Sequence, residues 1–166
     1  MRPEITREIV SGLKQAGIDL VSYLPESWLH DVYDVLLADP AFETVLGTNE
    51  GECVGIAAGA WLGGRRAVVI MENSGLRVAA EALARLGMGH GLPVLMIMPF
   101  RGDLGDPDWW AQAHGVTLRP LLEALRIPYR VVDRDEDVAR SIVAAWTTIH
   151  ASKYPAAVIL GQRVCQ

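Results

Sequence analysis

Apolar residues along the chain form two alternating patterns. Short continuous apolar or β-branched runs are separated by stretches in which apolar residues repeat at helical spacing. The short runs predict six strands, at residues 18–24, 42–47, 66–71, 91–98, 129–132 and 156–160. The helical stretches predict helices at about residues 6–16, 28–36, 50–62, 76–89, 117–126 and 135–146. The chain therefore alternates between strand and helix over its whole length.

This alternation predicts an α/β fold. Short right-handed crossovers between successive strands leave few solutions other than a doubly wound, mainly parallel six-stranded sheet with helices on both faces. The run 91–98 is apolar without interruption, as is typical of a strand buried on both sides, and we place it near the sheet centre. No linker or repeat divides the sequence, so residues 1–166 are expected to form one domain.

Two residues mark the ends of predicted helices, and one long stretch lacks any regular pattern. Gly17 follows the first helix at the position of a C-terminal cap, and Asp135 is expected to cap the helix that carries Val138 and Trp146. Residues 99–116 lack a regular pattern and are predicted to be a long loop, of the kind that is often functional.

Composition and charge exclude several classes of function. The 166 residues are 51% hydrophobic with a net charge of −5 and no basic run, so no nucleic-acid partner is expected. There is no apolar signal region and no run long enough to span a bilayer, so a soluble cytoplasmic protein without membrane contact is expected. Cys53 and Cys165 lack ligand spacing, so no metal site is predicted on this chain, and Cys53 is interpreted as a packing residue.

The loops that follow the strands should meet at one edge of the sheet, where ligands of such folds bind. These loops contain residues 25–27, 49–50, 73–75 and 101–103. The first strand is not followed by a dinucleotide fingerprint or a phosphate-binding Gly-Lys-Ser/Thr loop, which argues against dehydrogenases and nucleotide phosphatases. Ser74 lacks the preceding glycine of a hydrolase nucleophile elbow.

Two carboxylates begin the third predicted helix. Glu52 is interpreted as a residue that favours the positive end of the helix dipole. Glu50 is the stronger candidate for chemistry, because Cys53, Ala57 and Gly59 on the same helix are small enough to let a subunit or cofactor approach closely.

Other polar residues at this edge have open interpretations. Asn73 and Ser74 could cap a helix or bind a ligand. His114 could be solvated or could contact substrate, and Arg101 could pair with Asp103 or Asp106 in its own loop.

The sequence has two further features, a pair of tryptophans and three other histidines. Trp109 and Trp110 could line a pocket, pack under the loop or form an interface. His30, His90 and His150 have no ligand spacing and are interpreted as structural.

Several motifs together resemble the pyrimidine-binding (PYR) domain of thiamine diphosphate enzymes. Asn49-Glu50 followed by Ala57-Ala58-Gly59 is similar to the glutamate region of that domain. Further motifs, in the same order as in the α subunit of sulfopyruvate decarboxylase and the matching half of phosphonopyruvate decarboxylase, lie at residues 23–27, 63–64, 72–76, 101–103, 121–125 and 127–129. The resemblance covers nearly the whole chain.

The resemblance implies half of an enzyme. A separate diphosphate-binding (PP, or β) subunit would hold the magnesium ion, and the complex would be a hetero-oligomer such as α2β2 or larger. The reaction would be decarboxylation of a small anionic 2-oxo acid, giving an aldehyde and carbon dioxide, with thiamine diphosphate as cofactor.

The resemblance also implies roles for individual residues. Glu50 would hydrogen-bond the pyrimidine ring of the cofactor from across a subunit interface and act as the catalytic carboxyl group. Pro25 and the segment Asn73-Ser74-Gly75 would bind the cofactor, and Arg101 and His114 would contact the substrate.

The chain also departs from the family pattern. Glu72 stands where the family has glutamine, and Arg77 stands where a smaller residue is usual. The added acid leaves the identity of the 2-oxo acid open. A non-catalytic assembly module of the same fold and a carboligase using the same cofactor are the alternative functions.

Overall fold

The computed structural model describes residues 1–166 and contains one six-stranded, all-parallel sheet. The strands are β1 Leu20–Tyr23, β2 Glu43–Leu46, β3 Ala67–Ile70, β4 Leu95–Pro99, β5 Tyr129–Val132 and β6 Ala156–Leu160. The helices are α1 Pro3–Gln15, α2 His30–Ala38, α3 Glu50–Leu62, α4 Gly75–Ala82, α5 Gln112–Ala124, α6 Val138–Ser152 and α7 Gln162–Cys165. The predicted fold class is confirmed.

The strand order across the sheet is β2-β1-β3-β4-β6-β5. Strand β4 lies in the interior of the sheet and is buried along its length, as its apolar sequence predicts. The chain passes from β1 outward to β2 and then crosses back to β3, so the direction of winding reverses between β1 and β3. The carboxyl ends of these two neighbours form the switch-point crevice where ligands of such folds bind.

Two apolar clusters fill the spaces between the sheet and the helices on its two faces. One cluster contains buried residues of α1, α2 and α6 on one face of the sheet, and the other contains residues of α3, α4 and α5 on the opposite face. Helices α2 and α4, which follow β1 and β3, therefore leave the sheet edge on opposite faces. Their divergence opens the crevice between the two strands. None of the helices is both long and apolar enough to cross a membrane.

The starts of α5 and α6 differ from the sequence prediction. Helix α5 begins at Gln112 and not at Thr117, so the irregular segment after β4 is shorter than expected. The prediction that Asp135 caps α6 is wrong, because α6 begins at Val138 without a side-chain cap and the Asp135 carboxylate instead pairs with Arg2 at 2.7 Å.

Helices α1 and α4 end where the sequence predicts. Gly17 follows α1 with φ of +68°, a left-handed conformation that glycine adopts readily. Helix α4 continues as a π-helical segment, Leu83–Gly89, which completes the predicted helix up to residue 89.

Candidate active site

Glu50 lies at the first turn of α3, beside the switch-point crevice. Its half-buried side chain makes no hydrogen bond or ion pair within the chain. It packs instead against Gly75, the first residue of α4, where a Cβ atom would overlap Cγ of Glu50 and lie 2.7 Å from its Oε1. The sequence between β3 and α4 therefore provides room for a carboxylate that no group of the chain neutralises.

Glu52 has the structural role that the sequence analysis favoured. Its Oε2 accepts a hydrogen bond of 2.7 Å from the Thr48 hydroxyl, and its backbone N–H donates to Oδ1 of Asn49 at 3.0 Å. The hydroxyl and backbone N–H of Thr48 hold the pKa of Glu52 below its usual value. Glu52 therefore caps the start of α3 and leaves Glu50 as the free carboxylate of that turn.

The small residues of α3 are divided between the core and the surface. Cys53 and Ala57 are buried within the chain's own core, so the interpretation that they face a partner is wrong. Gly59 is exposed, and a Cβ atom there would meet nothing within 4 Å. Cys53 is a packing residue, as predicted.

Asn73 and Ser74 do not cap α4 with their side chains. Ser74 occupies the N-cap position without a side-chain hydrogen bond, so the capping interpretation is wrong. The buried Asn73 donates from Nδ2 to the carbonyl oxygen of Arg101 at 2.9 Å, which links the loops after β3 and β4. Its Oδ1 is buried without a partner. This unpartnered acceptor belongs to the residue two positions before Gly75, and the carboxylate of Glu50 contacts Gly75 itself.

Arg101 is fully buried, with its side chain 1% exposed. Its Nε donates to Asp106 at 3.0 Å, its Nη2 pairs with Asp108, and its Nη1 is 3.9 Å from Glu26. Arg101 therefore forms the ion pair with Asp106 inside its own loop, which was one of its predicted roles. The guanidinium is committed to carboxylates of the same chain and is closed to a substrate anion in this conformation.

Two indole rings enclose the same guanidinium. The rings of Trp28 and Trp110 have their centroids 4.2 and 4.5 Å from Cζ of Arg101. Trp110 therefore packs on the loop, whereas Trp109 is 85% exposed and packs on nothing. Cation–π contacts and three carboxylates together make Arg101 the centre of a buried network that ties β1 to β4.

Glu26 is the buried acid of this network and was not assigned a role from sequence. Its carboxylate accepts from the backbone N–H groups of Trp28 at 2.9 Å and Leu29 at 3.1 Å. Burial raises the pKa of Glu26, and these hydrogen bonds only partly oppose the effect. Its position directly after Pro25, at the end of β1, was the one signal that could have identified it. Pro25 itself is exposed at the crevice edge.

His114 lies in the first turn of α5 and faces the loop after β3. Its Nδ1 is 3.0 Å from Oε1 of Glu72, and the two side chains are 12% and 21% exposed. The ring also lies against Trp110, with centroids 5.5 Å apart. Glu72, the residue that departs from the family pattern, is therefore the partner of His114.

A close backbone contact fixes where His114 lies. A Cβ atom at Gly102 would overlap the carbonyl oxygen of Ala111, and one at Gly115 would overlap the carbonyl group of Gly102. The loop after β4 thus lies directly on the first turn of α5. Arg77 of α4 adds a hydrogen bond of 3.3 Å to the carbonyl oxygen of Ala113.

The structure brings most of the predicted site residues to one edge of the sheet. Glu50, Asn73, Gly75 and His114 surround the switch-point crevice, while Arg101 is sealed beneath it. The arrangement offers an unpaired carboxylate and a partly exposed imidazole, with the buried Oδ1 of Asn73 behind them, and these groups suit binding of a polar ring and transfer of protons. No three His, Cys, Asp or Glu side chains converge on a point that could hold a metal ion.

Comparison with known proteins identifies close relatives over the whole chain. No protein-family model matches it. The chain is 32% identical over 160 residues to the sulfopyruvate decarboxylase subunit alpha of Methanothermobacter thermautotrophicus, covering 96% of both chains. It is 30% identical over 152 residues to the same subunit of Methanococcus maripaludis, covering 92% of this chain and 91% of the relative.

A second group of relatives matches part of the chain. Phosphonopyruvate decarboxylase of Streptomyces viridochromogenes is 36% identical over 101 residues, which is 61% of this chain and 25% of that protein. The matched region is therefore one part of a larger polypeptide in this second group.

Proposed function

The chain belongs to the family of sulfopyruvate decarboxylase alpha subunits, and from this we propose that it is the PYR subunit of a thiamine diphosphate- and magnesium-dependent 2-oxo acid decarboxylase. Its relatives are decarboxylase subunits, which supports assignment as one subunit of a carboxy-lyase. The names of the relatives favour a 2-oxo acid that carries a sulfonate or phosphonate.

One observation carries the proposal: the carboxylate of Glu50 is unpaired and half-buried at the switch-point crevice. A partly exposed carboxylate that no group of the chain pairs with is available to a ligand. Glu52, two residues further along, is fully used as a cap, so the chain separates a structural acid from a free one. The free acid occupies the position that the PYR-domain resemblance assigns to the catalytic glutamate.

The surroundings of Glu50 fit an aminopyrimidine ring. Gly75 leaves room for the Glu50 carboxylate itself, and the buried Oδ1 of Asn73 lacks a donor that an exocyclic amino group could supply. Glu50 would hold a proton at the ring nitrogen, and Asn73 and Gly75 would orient the ring. When bound, thiamine diphosphate supplies the electron sink that allows the carboxylate of a 2-oxo acid to leave as carbon dioxide.

A separate PP-domain subunit completes the proposal. The relatives are named alpha subunits, which supports a partner chain. In our proposal the partner holds the diphosphate and magnesium, and it covers the crevice so that Glu50 reaches the cofactor across the subunit interface. Exclusion of water by this cover would strengthen the hydrogen bond from Glu50.

The proposal is tested with Glu50→Gln and the matched control Glu52→Gln, each assembled with a PP-domain subunit from the same organism. Carbon dioxide release from sulfopyruvate, phosphonopyruvate and pyruvate is measured with and without thiamine diphosphate and Mg²⁺. The wild-type complex is expected to release carbon dioxide only when thiamine diphosphate is present. Glu50→Gln should lower the rate by about 10²- to 10⁴-fold, the usual contribution of a proton-transfer group.

Glu52→Gln should retain most activity, because it changes a cap and not the site. Near-normal turnover of Glu50→Gln, or cofactor-independent release by the wild type, would overturn the assignment. Assembly with the partner but no decarboxylation of any 2-oxo acid would favour a non-catalytic module.

A further inference from the structure

His114 and Glu72 form a histidine–carboxylate pair that the family resemblance does not assign. Nδ1 of His114 lies 3.0 Å from Oε1 of Glu72 and is buried with no other partner, although the contact is not aligned as a hydrogen bond. A carboxylate next to one ring nitrogen orients an imidazole and favours a hydrogen on that nitrogen. The Nδ1 side of the ring therefore faces the Glu72 carboxylate.

The other nitrogen of the ring is available. Nε2 makes no hydrogen bond within the chain and, unlike Nδ1, is not among the buried polar atoms that lack a partner, while the side chain as a whole is 12% exposed. The first turn of α5, held against Gly102, places the ring at the crevice edge that also holds Asn73 and Gly75. His114 thus combines a buried nitrogen beside a carboxylate with a second nitrogen that no group of the chain occupies.

Charged groups from three other elements face the ring. Burial is the largest influence and lowers the pKa of His114, and Arg77 and Arg101 act in the same direction. Glu72 and Asp106 oppose this effect by favouring the protonated ring. The pKa of His114 is therefore lowered by burial and by the two arginines, while Glu72 is the largest influence that favours the protonated ring.

The proposed reaction requires one proton per turnover. Loss of carbon dioxide from a 2-oxo acid breaks a C–C bond, and the aldehyde product has a C–H bond in its place, so the 2-oxo acid anion and one proton give the aldehyde and carbon dioxide. The carboxylate of Glu26 is saturated by backbone donors and the Arg101 guanidinium is sealed. Glu50 is assigned to the cofactor ring, which leaves His114 as the chain's free proton-transfer group.

We propose that His114, oriented through Nδ1 by Glu72, delivers from Nε2 the proton that becomes the aldehyde hydrogen. The Nε2–H bond breaks, the C–H bond forms and the neutral ring takes a new proton from solvent. This role rests on the proposed function and adds a residue to it. Glu72 is a positioning residue, and its presence in place of glutamine keeps a negative charge beside the ring.

The first test uses the full chain without a partner or cofactor. Long-range ¹H–¹⁵N NMR spectra of the histidine rings are recorded over a pH series, with His→Gln variants at positions 30, 90 and 150 for assignment. The neutral ring of His114 should carry its hydrogen on Nδ1. Glu72→Gln should lower the pKa of His114, since the charge that favours the protonated ring is lost, whereas Glu81→Gln should not.

A hydrogen on Nε2 in the neutral ring, or a pKa of His114 that does not respond to Glu72→Gln, would overturn the positioning role. This result would be independent of whether the complex decarboxylates any substrate.

The second test uses the assembled complex and measures carbon dioxide and aldehyde release from the 2-oxo acid that supports turnover. His114→Gln should lower aldehyde formation by about 10²- to 10⁴-fold without changing thiamine diphosphate affinity. Glu72→Gln should move the alkaline limb of the kcat profile to lower pH, because the ring then loses its proton at lower pH. The exposed His90→Gln variant is the matched control and should behave as wild type.

The outcomes separate the two proposals. Normal aldehyde formation by His114→Gln alongside an inactive Glu50→Gln complex would overturn the proton role and leave the proposed function standing. A uniform rate loss in Glu72→Gln with an unshifted pH profile would also overturn it, because a purely structural role predicts that result. An inactive wild-type complex would overturn both.

Discussion

The carboxylate of Glu50 occupies the space in which a side chain at position 75 would lie. A Cβ atom at Gly75 would be 2.7 Å from both Cδ and Oε1 of Glu50. The two residues belong to α3 and α4, which pack side by side in the same layer of helices. Their contact determines how far the carboxylate reaches over the switch-point crevice. The shape of the site therefore depends on position 75 being a glycine, which has no side chain.

Gly75→Ala should therefore inactivate the assembled decarboxylase without unfolding the chain. The methyl group would push the Glu50 carboxylate away from its position, and a displacement of about 1 Å in a reacting group can lower activity by about 100-fold. Turnover and thiamine diphosphate affinity of the complex provide the measurements. The control is Gly55→Ala in α3, where a Cβ atom meets nothing, and wild-type turnover by Gly75→Ala would contradict this account.

The Arg101 network should contribute strongly to stability. Replacing Arg101 by Met leaves the buried carboxylates of Glu26 and Asp106 without their cation, and breaking a buried ion pair in this way costs about 3–5 kcal/mol. Urea unfolding at neutral pH provides the free energy. Arg85→Met, which removes an exposed pair with Glu81, is the control and should change stability by less than about 0.5 kcal/mol. Equal effects of the two substitutions would show that the network is not stabilising.

The sheet could be predicted from sequence because each strand is a short apolar run that can be recognised from its own residues alone. The start of α5 could not, because none of residues 112–117 is buried and they show no apolar periodicity. Asp135 was assigned as a cap on sequence position alone. Its actual partner, Arg2, lies 133 residues away, and such a distant ion pair leaves no local signal.

The part of the site that could be predicted from sequence is the motif around Glu50. Glu50 stood out as an acid in a small-residue turn, and the structure places it at the switch-point crevice. The enclosure of Arg101 between Trp28 and Trp110 depends on loops from two different strands, which the sequence does not reveal as neighbours. The pairing of Glu72 with His114 was missed for the same reason, although the unusual acid at position 72 was a visible signal.

Acid should weaken the fold partly through Asp106. Burial alone would raise the pKa of Asp106, but Arg101 and the backbone N–H groups of Gly102 and Asp108 hold it below its usual value. A lowered folded-state pKa stabilises above the unfolded value of about 3.9, and this contribution is lost as pH falls through the folded-state pKa. Asp106→Asn should therefore be less stable than wild type at neutral pH and should lose less stability below about pH 4.

Urea midpoints measured across this acid range test the expectation. Asp103→Asn, in the same loop but without an ion pair, is the matched control and should follow the wild-type curve. Parallel pH curves for wild type and Asp106→Asn would show that Asp106 does not contribute to acid sensitivity.

Gly115→Ala should destabilise the chain although it lies inside α5. At an open helical position, replacing glycine by alanine stabilises by up to about 1 kcal/mol because alanine has the higher helix propensity. At position 115 the new Cβ atom would overlap the carbonyl group of Gly102, so the loop after β4 must separate from the first turn of α5. The unfolding free energy should fall, by about 1–3 kcal/mol if the strain is typical of a displaced loop. The histidine NMR signals of His114 should shift with it. Gly55→Ala in α3, where a Cβ atom meets nothing, should have the opposite sign, and a stabilised Gly115→Ala variant would show that the loop and α5 are not in direct contact.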